Sequence, residues 1–558
     1  MITADMFGAR YTAYRAFDRF TDAIEQTTIQ TLVWPGGALA ENGTDRFGLE
    51  YPGLLAPGTS SRYPDLTEIM AYCNDNDLGL IIPLPTARYV GREGSLQSDL
   101  STFLNDLMAG EYGPLPQNLT FEIGNEFYAT VQDTGAGQAA NYAQTVNTYA
   151  ETILDAATSW PDLLSTIDWG VQLGRTPEAT SDILDALTDD AVLIADRLVT
   201  HRFAVTESAA NKAISDLEAS LDLWDTRAAA MGIEPPELSL SAYNTASLAR
   251  GEALEAYLEE NPGADISDTA LEDRTDTDFE ALYQKMLAAR PAGLEQAEHI
   301  LTIFSVYADA GATSAATYGW DIMHGAPMSI EGTDDASYVL ASGTVQSMMA
   351  ESLIGTSVTD WYQSNDTDGS GISSYGFSGD DKLVIFLVAP SDKDGPMRAT
   401  LPLSDLGALY DVRAEALTSY VPENWQDLFD VTASAGVDQS AEAEMYALAD
   451  RETFTPEIAD GALIIDFTEP SEIVRLTFAR NDEESAEIAK WHSGDGLILD
   501  LENPTDIDGT SRTTSDDEIE VDDLSENPQS EDAETSPIAD IAPTLLLSAI
   551  LSLLMAAL

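Results

Sequence analysis

The stretch that decides the fold is Leu119-Thr-Phe-Glu-Ile-Gly-Asn-Glu-Phe-Tyr128, in which an apolar strand ends in the turn Gly124-Asn125-Glu126. Side chains on a strand alternate between its two faces, so Glu122 and Glu126 lie on the same face. In a closed barrel that face points inward, and Glu126 then lies at the open rim. A carboxyl group packed among the aromatic side chains that follow it is desolvated, which predicts a raised pKa and a proton available for donation.

Around this stretch, apolar strand-like runs alternate with amphipathic helical runs from residue 1 to about residue 353. Such alternation is typical of a parallel α/β sheet. Eight units in this length predict an α/β fold of the (β/α)8 (TIM) barrel type over residues 1–353, with its site at the C-terminal ends of the strands. The predicted strands are Ala4–Arg10, Ile29–Trp34, Leu78–Leu84, Leu119–Gly124, Ile167–Leu173, Ala195–His201, Leu238–Tyr243 and Ala315–Trp320.

The sequence pattern changes after residue 353. Short runs of alternating apolar residues are bounded there by Gly, Pro, Asp and Ser, and this pattern predicts a C-terminal β-sandwich over residues 355–480. The predicted strands are Gly371–Phe377, Lys382–Val388, Met397–Leu403, Tyr410–Ala416, Ala462–Phe467 and Ile473–Phe478.

The charge balance restricts the possible ligands. The chain has 97 Asp and Glu residues against 25 Lys and Arg, a formal net charge of −72. This excess excludes sequence-independent binding of nucleic acid and favours a neutral ligand over an anionic one. Cys73 is the one cysteine and the four histidines are far apart in the sequence, so we expect no disulfide, no metal ion and no cofactor.

The C-terminal part differs from the rest in composition. Residues 481–540 are predicted to be a disordered acidic segment, and residues 541–558 an apolar helix. The apolar run Leu545–Leu558 spans roughly 21 Å as a helix, which is short of a hydrocarbon core of about 30 Å. Three interpretations remain open: a short membrane anchor, a helix docked on a partner, or an uncleaved export signal.

The N-terminus has no basic segment followed by an apolar one, which argues against a secretory signal peptide. The acidic C-terminus ending in apolar residues resembles the uncleaved signals read by bacterial type I exporters. We therefore expect an extracellular or cell-surface protein whose tail contacts an exporter. Membrane anchoring by the C-terminal helix is the alternative, and a cytoplasmic location is the third possibility.

Four short motifs at predicted strand ends occur in a familiar order. They are Trp34-Pro35-Gly36-Gly37, Gly124-Asn125-Glu126, His201-Arg202-Phe203 and Tyr318-Gly319-Trp320. In this order the chain resembles the superfamily of retaining (β/α)8 glycoside hydrolases with the acid/base on strand four, especially the arabinofuranosidase, β-xylosidase and heparanase-like branches. The resemblance covers about residues 1–480 and implies a glycan as ligand or substrate.

The resemblance also implies roles for individual residues. Glu126 matches the acid/base and Asn125 its sugar-binding neighbour, while His201 matches a strand-six histidine that contacts the site. The remaining residues expected to line the sugar pocket are Trp34, Tyr243, Asn244 and Trp320.

Strand seven departs from the family pattern. It reads Glu237-Leu-Ser-Leu-Ser-Ala-Tyr-Asn244, so Ala242 stands where relatives carry the nucleophilic glutamate. Alanine cannot form a covalent glycosyl intermediate. Val33 likewise stands where relatives often carry arginine. Asp321, just after strand eight, is the candidate second carboxylate for an inverting reaction, which needs two carboxyl groups about 6.5–9.5 Å apart.

Three functions therefore stay open from the sequence. The first is a hydrolase that uses an unusual second carboxylate such as Asp321. The second is a non-catalytic glycan-binding or surface-structural protein of glycosidase ancestry. The third is a scaffold whose barrel has no ligand.

Overall fold

The computed structural model describes residues 1–498 except 14, 38, 43–62, 132–135, 205–206, 247, 265, 322–325, 335, 360–370, 393–395, 404–405, 407–408, 435 and 493–496. Eight parallel strands close into a barrel in chain order, which confirms the predicted fold. The strands are β1 (Gly8–Arg10), β2 (Thr31–Val33), β3 (Gly79–Leu84), β4 (Leu119–Ile123), β5 (Ile167–Gln172), β6 (Arg197–Ala204), β7 (Glu237–Thr245) and β8 (Ala312–Thr317).

Small residues allow the first and last strands to close the barrel. Gly8 of β1 pairs with Ala316 of β8, and a side chain at position 8 would lie 2.8 Å from the carbonyl oxygen of Ala315. Glycine is therefore required for this close approach. Inside the barrel, Val33, Ile81 and Ala316 form a small apolar layer below the rim.

Helices cover the outside of the barrel by burying one apolar face each. In Glu93–Met108, for example, the buried residues Leu96, Leu100, Phe103, Leu104 and Leu107 recur at three- and four-residue spacing. The helices up to residue 353 are α1 (Phe17–Ile24), α2 (Leu39–Asn42), α3 (Leu66–Asp75), α4 (Glu93–Met108), α5 (Phe127–Thr130), α6 (Ala136–Ser159), α7 (Leu163–Thr166), α8 (Pro177–Ala186), α9 (Asp189–Leu193), α10 (Glu207–Met231), α11 (Arg250–Glu260), α12 (Asp268–Glu272), α13 (Thr277–Leu287), α14 (Gly293–Asp309) and α15 (Ala341–Leu353). Short 3₁₀ helices span Ala4–Met6 and Ala87–Tyr89.

The segment between β7 and β8 forms a satellite cluster that the sequence pattern did not reveal. Its helices α11 and α13 share an apolar core with residues 425–448 of the C-terminal region. Two fully buried carboxylates lie there, with Glu280 paired to Arg250 and Glu442 paired to Arg274. Two further short helices of this cluster are α16 (Trp425–Leu428) and α17 (Ser440–Glu444).

The C-terminal region is a β-sandwich, as expected. Its larger sheet has the order β11-β12-β13-β19-β15-β16 with β20 beside β15, and its smaller sheet has the order β14-β18-β17. Their facing side chains form one apolar core. A separate hairpin of β9 (Ser329–Glu331) and β10 (Ser337–Val339) precedes this region in the chain. The sandwich strands are β11 (Ser357–Val358), β12 (Ser373–Ser378), β13 (Lys382–Val388), β14 (Met397–Pro402), β15 (Asp411–Tyr420), β16 (Leu448–Phe454), β17 (Glu457–Ala459), β18 (Ala462–Phe467), β19 (Ile473–Ala479) and β20 (Leu497–Ile498).

The predicted disordered segment 481–540 begins too early. Residues Asp482–Trp491 form helix α18, and β20 adds a further strand to the larger sheet. The helix forms because Asn481 caps its first turn by accepting from the amide of Glu484, and because Ile488 is buried. The later part of the acidic segment and the predicted apolar helix 541–558 lie outside the described residues.

Within the described part of the chain, no helix has the length and apolar character needed to cross a membrane.

A buried ion-pair network joins the barrel to the sandwich. Arg475 of β19 is completely buried and donates to Glu415 of β15 at 2.6 Å and to Glu351 of α15 at 2.9 Å. Arg451 of β16 contacts the same two carboxylates at 2.9 and 2.8 Å. Because Glu351 belongs to a barrel helix and the other three residues to the sandwich, the network ties the two domains together.

We expect Arg475→Met to lower the free energy of unfolding by about 3 kcal/mol or more, because it leaves buried carboxylates with less compensating charge. Equilibrium urea unfolding measures this difference. The matched control is Arg398→Met, which removes an exposed ion pair with Asp466 and should lower the free energy of unfolding far less. Equal losses in the two variants would contradict a buried network.

Candidate functional site

The rim of the barrel holds a hydrogen-bonded pair of side chains, one from the turn after β4 and one from β6. The Oε1 atom of Glu126 lies 3.0 Å from Nδ1 of His201. Gly124 and Glu126 both have left-handed backbones, with φ of 93° and 48°. Such a conformation costs a non-glycine residue about 1–3 kcal/mol and is kept where surrounding contacts enforce it. It turns the chain sharply after β4 and directs the Glu126 carboxylate toward β6.

The two ring nitrogens of His201 contact different parts of the rim. Its Nε2 is 3.2 Å from Oγ of Ser241 and 3.5 Å from Nη1 of Arg10. A carboxylate can only accept, so we assign a proton to Nδ1, which donates to Glu126.

Arg10 connects four strands at the rim. Its buried guanidinium donates from Nη2 to Oδ1 of Asn125 at 2.5 Å and from Nη1 to the carbonyl oxygen of Ser241 at 3.0 Å. Together with His201 these contacts join β1, β6, β7 and the turn after β4. Asn125 is thus held by Arg10, and 3% of it is exposed.

The expected rise in the pKa of Glu126 is wrong. Burial raises the pKa of Glu126. The hydrogen bond and charge of His201, followed by the charges of Arg10 and Arg175, lower this pKa by more than burial raises it. The net result is a pKa below the ordinary glutamate value, so the carboxylate is ionised at neutral pH. The sequence reasoning counted burial and could not see these three basic groups.

A second buried carboxylate, Glu41 of α2, positions the turn that carries Glu126. Glu41 accepts from the backbone amides of Thr86 and Ala87 at 2.9 Å and from the amide of Asn125 at 3.4 Å. It therefore links the ends of β3 and β4. Burial raises its pKa, and these donors act in the opposite direction.

Asp321 is also buried, and its carboxylate contacts the segment that follows β1. Its two oxygens accept from the backbone amide of Thr12 at 3.0 Å and from the Thr12 hydroxyl at 2.6 Å. The side chain is completely buried and does not line the cleft beside Glu126. This placement indicates a structural tie between the ends of β8 and β1.

Four other predicted pocket residues are buried in the protein. Trp34, Tyr243, Asn244 and Trp320 are at most 1% exposed. Trp320 donates from its ring nitrogen to Thr317 Oγ1, and Asn244 donates to the carbonyl oxygens of Tyr318 and Ala326. Asn244 and Trp320 thus stabilise the β8 end of the barrel, and none of the four side chains lines the cleft beside Glu126.

Ala242 lies beside His201 in the register of β6 and β7 and is 2% exposed. No carboxylate is therefore supplied from this position. Val33 lies inside the barrel in the apolar layer.

A cleft of about 800 Å³, its open mouth included, adjoins Glu126 and His201. It lies between the ends of β5 and β6 and the helix α10. Polar residues dominate its walls, and Tyr128 and Tyr307 contribute aromatic rings. The guanidinium of Arg175 lies 5.1 Å from the centre of the Tyr128 ring.

Among the residues that the structure describes, no group of three or more His, Cys, Asp or Glu side chains could hold a metal ion.

Sequence reasoning missed Arg10, Glu41, Ser241, Arg175 and Arg202. Arg10, Arg175 and Arg202 had one available signal, because each is a basic residue in or just after the C-terminal end of a strand in a chain with few basic residues. No signal in the sequence marked Glu41 or Ser241, because they lie in ordinary helical and strand patterns.

Comparison with known proteins identifies the fold. The sequence matches no protein-family profile and no curated protein. The structure is similar to a family 51 α-L-arabinofuranosidase from Bifidobacterium longum, with a TM-score of 0.55 and 12% identity over 85% of this chain and 96% of that one. It is also similar to the α-L-arabinofuranosidase from Thermotoga maritima, with a TM-score of 0.53 and 12% identity over 85% and 96%.

A third similar structure is the family 51 enzyme from Thermotoga petrophila RKU-1, with a TM-score of 0.51 and 13% identity over 85% and 97%. At these identities the likeness concerns the fold, which is that of (β/α)8 glycoside hydrolases with a C-terminal β-domain.

We expect His201→Ala to raise the pKa of Glu126, because burial then acts without the Nδ1 donor. Carboxyl ¹³C NMR of glutamate-labelled protein, with Glu126→Gln to assign the signal, measures this pKa. Ser241→Ala is the matched control, since it removes a contact to the other ring nitrogen and should change the pKa less. A wild-type pKa above the ordinary glutamate value, or no rise in His201→Ala, would contradict this account.

Proposed function

We propose that this chain is a glycoside-hydrolase-like protein that binds a glycan at the rim of its barrel and does not hydrolyse it by the retaining mechanism. The observation that carries the proposal is the position of Glu126, which lines the cleft with Oε1 3.0 Å from Nδ1 of His201, while Ala242 lies beside His201 on the next strand. A retaining glycosidase needs one protonated carboxyl group and one nucleophilic carboxylate. Here Glu126 is ionised, and the other position is Ala242.

An ionised carboxylate at the rim is well suited to binding. It accepts hydrogen bonds from sugar hydroxyls, and such charge-assisted bonds contribute about 1.5–3 kcal/mol each. Tyr128, partly exposed in the same cleft, offers an aromatic face in place of the buried Trp34 and Trp320. Glu126 and Tyr128 therefore support a sugar-binding role for this part of the rim.

Hydrolysis by an inverting mechanism has less support. It needs a second carboxyl group facing the first across the glycosidic bond. Asp321 was the candidate, and its two oxygens are occupied by Thr12 in the buried interior. The surface-structural role remains compatible with binding, because a glycan-binding barrel can also attach a protein to a polysaccharide.

The test compares binding and turnover in wild type and two variants. We expect wild type to bind oligosaccharides without cleaving aryl glycosides, and Glu126→Gln to bind about 10–100-fold more weakly, which corresponds to the loss of one charge-assisted bond. Ala242→Glu should gain measurable cleavage of activated aryl glycosides, because it supplies a carboxylate beside His201 and their leaving groups depart without a proton from Glu126. Isothermal titration calorimetry and aryl-glycoside assays provide the two measurements.

Ala242→Gln is the matched control for this test, since it adds the same bulk without a nucleophile and should remain inactive. Circular dichroism checks that both Ala242 variants fold. Cleavage by wild type that Glu126→Gln abolishes would overturn the proposal and identify an enzyme. Absence of glycan binding in every variant would favour a scaffold without a ligand.

We further propose that the acidic C-terminal segment with its apolar end directs export, which would bring the glycan-binding barrel to extracellular glycans. The support is compositional: residues 501–540 contain 14 acidic residues and one arginine, followed by the apolar run. An anchoring role for residues 541–558 is the alternative.

Deleting residues 541–558 distinguishes these roles. An export signal predicts that the truncated protein accumulates inside the cell, whereas an anchor predicts a move from the membrane fraction to the soluble fraction. Cell fractionation followed by immunoblotting measures both. If the truncation changes neither distribution, the segment has another role, such as docking on a partner.

A further inference from the structure

We propose that the glycan bound at the rim is acidic, and that Arg175 and Arg202 bind its carboxylate or sulfate group in the cleft beside Glu126. This inference rests on the proposed function and specifies its ligand class. It departs from the neutral ligand expected from the net charge of the whole chain.

The position of the two arginines is the first support. Arg175 follows the end of β5 and Arg202 belongs to β6, next to His201, and both line the cleft that contains Glu126. Burial lowers the pKa of Arg202, and the charge of Arg175 is among the further causes that lower it, so the two guanidinium groups are close enough to repel each other. A bound anion would relieve this repulsion.

The local charge balance is the second support. The basic groups that line the cleft are Arg175, Arg202 and His201. The acidic groups that line it are Glu126, Asp216, Tyr128 and Tyr307. Two guanidinium groups therefore stand against two carboxyl groups in this cleft. In the whole chain, 97 acidic residues stand against 25 basic ones. The cleft is therefore much less acidic than the molecule that contains it.

Screening by salt explains why the charges inside the cleft, rather than the net charge of the whole chain, determine which ligand binds there. At an ionic strength of 0.1 M the Debye length is about 10 Å, so distant surface carboxylates contribute little inside the cleft. A guanidinium presents a planar fork of donors that matches the two oxygens of a carboxylate or sulfate. Gln172, Thr200 and Ser220 add neutral polar groups that can contact the sugar hydroxyls.

The test uses three oligosaccharides of equal length: an oligogalacturonate, a sulfated galactan oligosaccharide and a neutral galactan oligosaccharide. Calorimetry at 50 and 300 mM NaCl gives each Kd. We expect one acidic probe to bind at least about 10-fold more tightly than the neutral one, with a preference that falls at the higher salt concentration. Preference for the oligogalacturonate identifies a uronic acid, and preference for the sulfated probe identifies a sulfate ester.

The variants Arg175→Gln and Arg202→Gln test the residues. Each should reduce the preference for the acidic probe about 10-fold while changing the Kd of the neutral probe less than about 3-fold, as expected for loss of one charged contact. Arg398→Gln, far from the cleft in an exposed ion pair, is the matched control and should change neither.

Equal binding of acidic and neutral probes by wild type would overturn this inference and leave the proposed function standing. Equal weakening of both probes in the arginine variants would overturn it as well, because it would indicate a structural role for the arginines. Absence of binding to all three probes, and to the oligosaccharides tested with Glu126→Gln, would overturn the inference and the proposed function together.

Discussion

The rim of the barrel depends on one buried cation, the guanidinium of Arg10. Burial lowers the pKa of Arg10, and the charges of Glu122 and Glu126 act against this effect. Among the described residues, both oxygens of Glu122 are buried without a hydrogen-bond partner. Charge attraction acts over longer distances than hydrogen bonds and is strong in a low-dielectric interior. Arg10 and Glu122 therefore compensate each other in the barrel interior, with Arg10 free to bond to the strand ends above.

This cation explains how the rim differs from that of a two-carboxylate glycosidase. At strand seven, position 242 is an alanine without charge, and Ser241 offers a carbonyl oxygen to Arg10 and a hydroxyl group to His201. His201 in turn donates from Nδ1 to Glu126, and its Nε2 lies near Arg10 and Ser241. The whole network favours the ionised form of Glu126, which suits a binding group better than a proton donor.

The two buried ion-pair systems outside the rim have a different role. Arg475 and Arg451 join Glu351 of the barrel to Glu415 of the sandwich, and the pairs at Glu280 and Glu442 stabilise the helical insertion between β7 and β8. Each buried carboxylate of this kind needs a partner of opposite charge. Removing one partner of a buried pair lowers the free energy of unfolding by about 3–5 kcal/mol. They therefore specify how the C-terminal region packs on the barrel.

The sequence by itself determined the eight barrel strands, most of the sandwich strands, the turn at Glu126 and the alanine at position 242. These features depend on local alternation of apolar and polar residues and on turn residues, both of which can be read within about ten positions. The strand β16 was missed because none of its side chains is buried. Helix α18 was missed because its acidic composition concealed a capped helix with one buried apolar residue, Ile488.

Only the tertiary structure decided the chemistry of the rim. The partner of Glu126 is 75 residues away in the sequence, that of Asp321 is 309 residues away, and Arg10 reaches His201 across 191 residues. Barrel closure brings these groups within hydrogen-bond distance, and the direction of a pKa shift depends on which charges lie within a few ångströms. A sequence pattern records the type of each side chain, but the balance between burial and paired charge exists only after the strand ends have met.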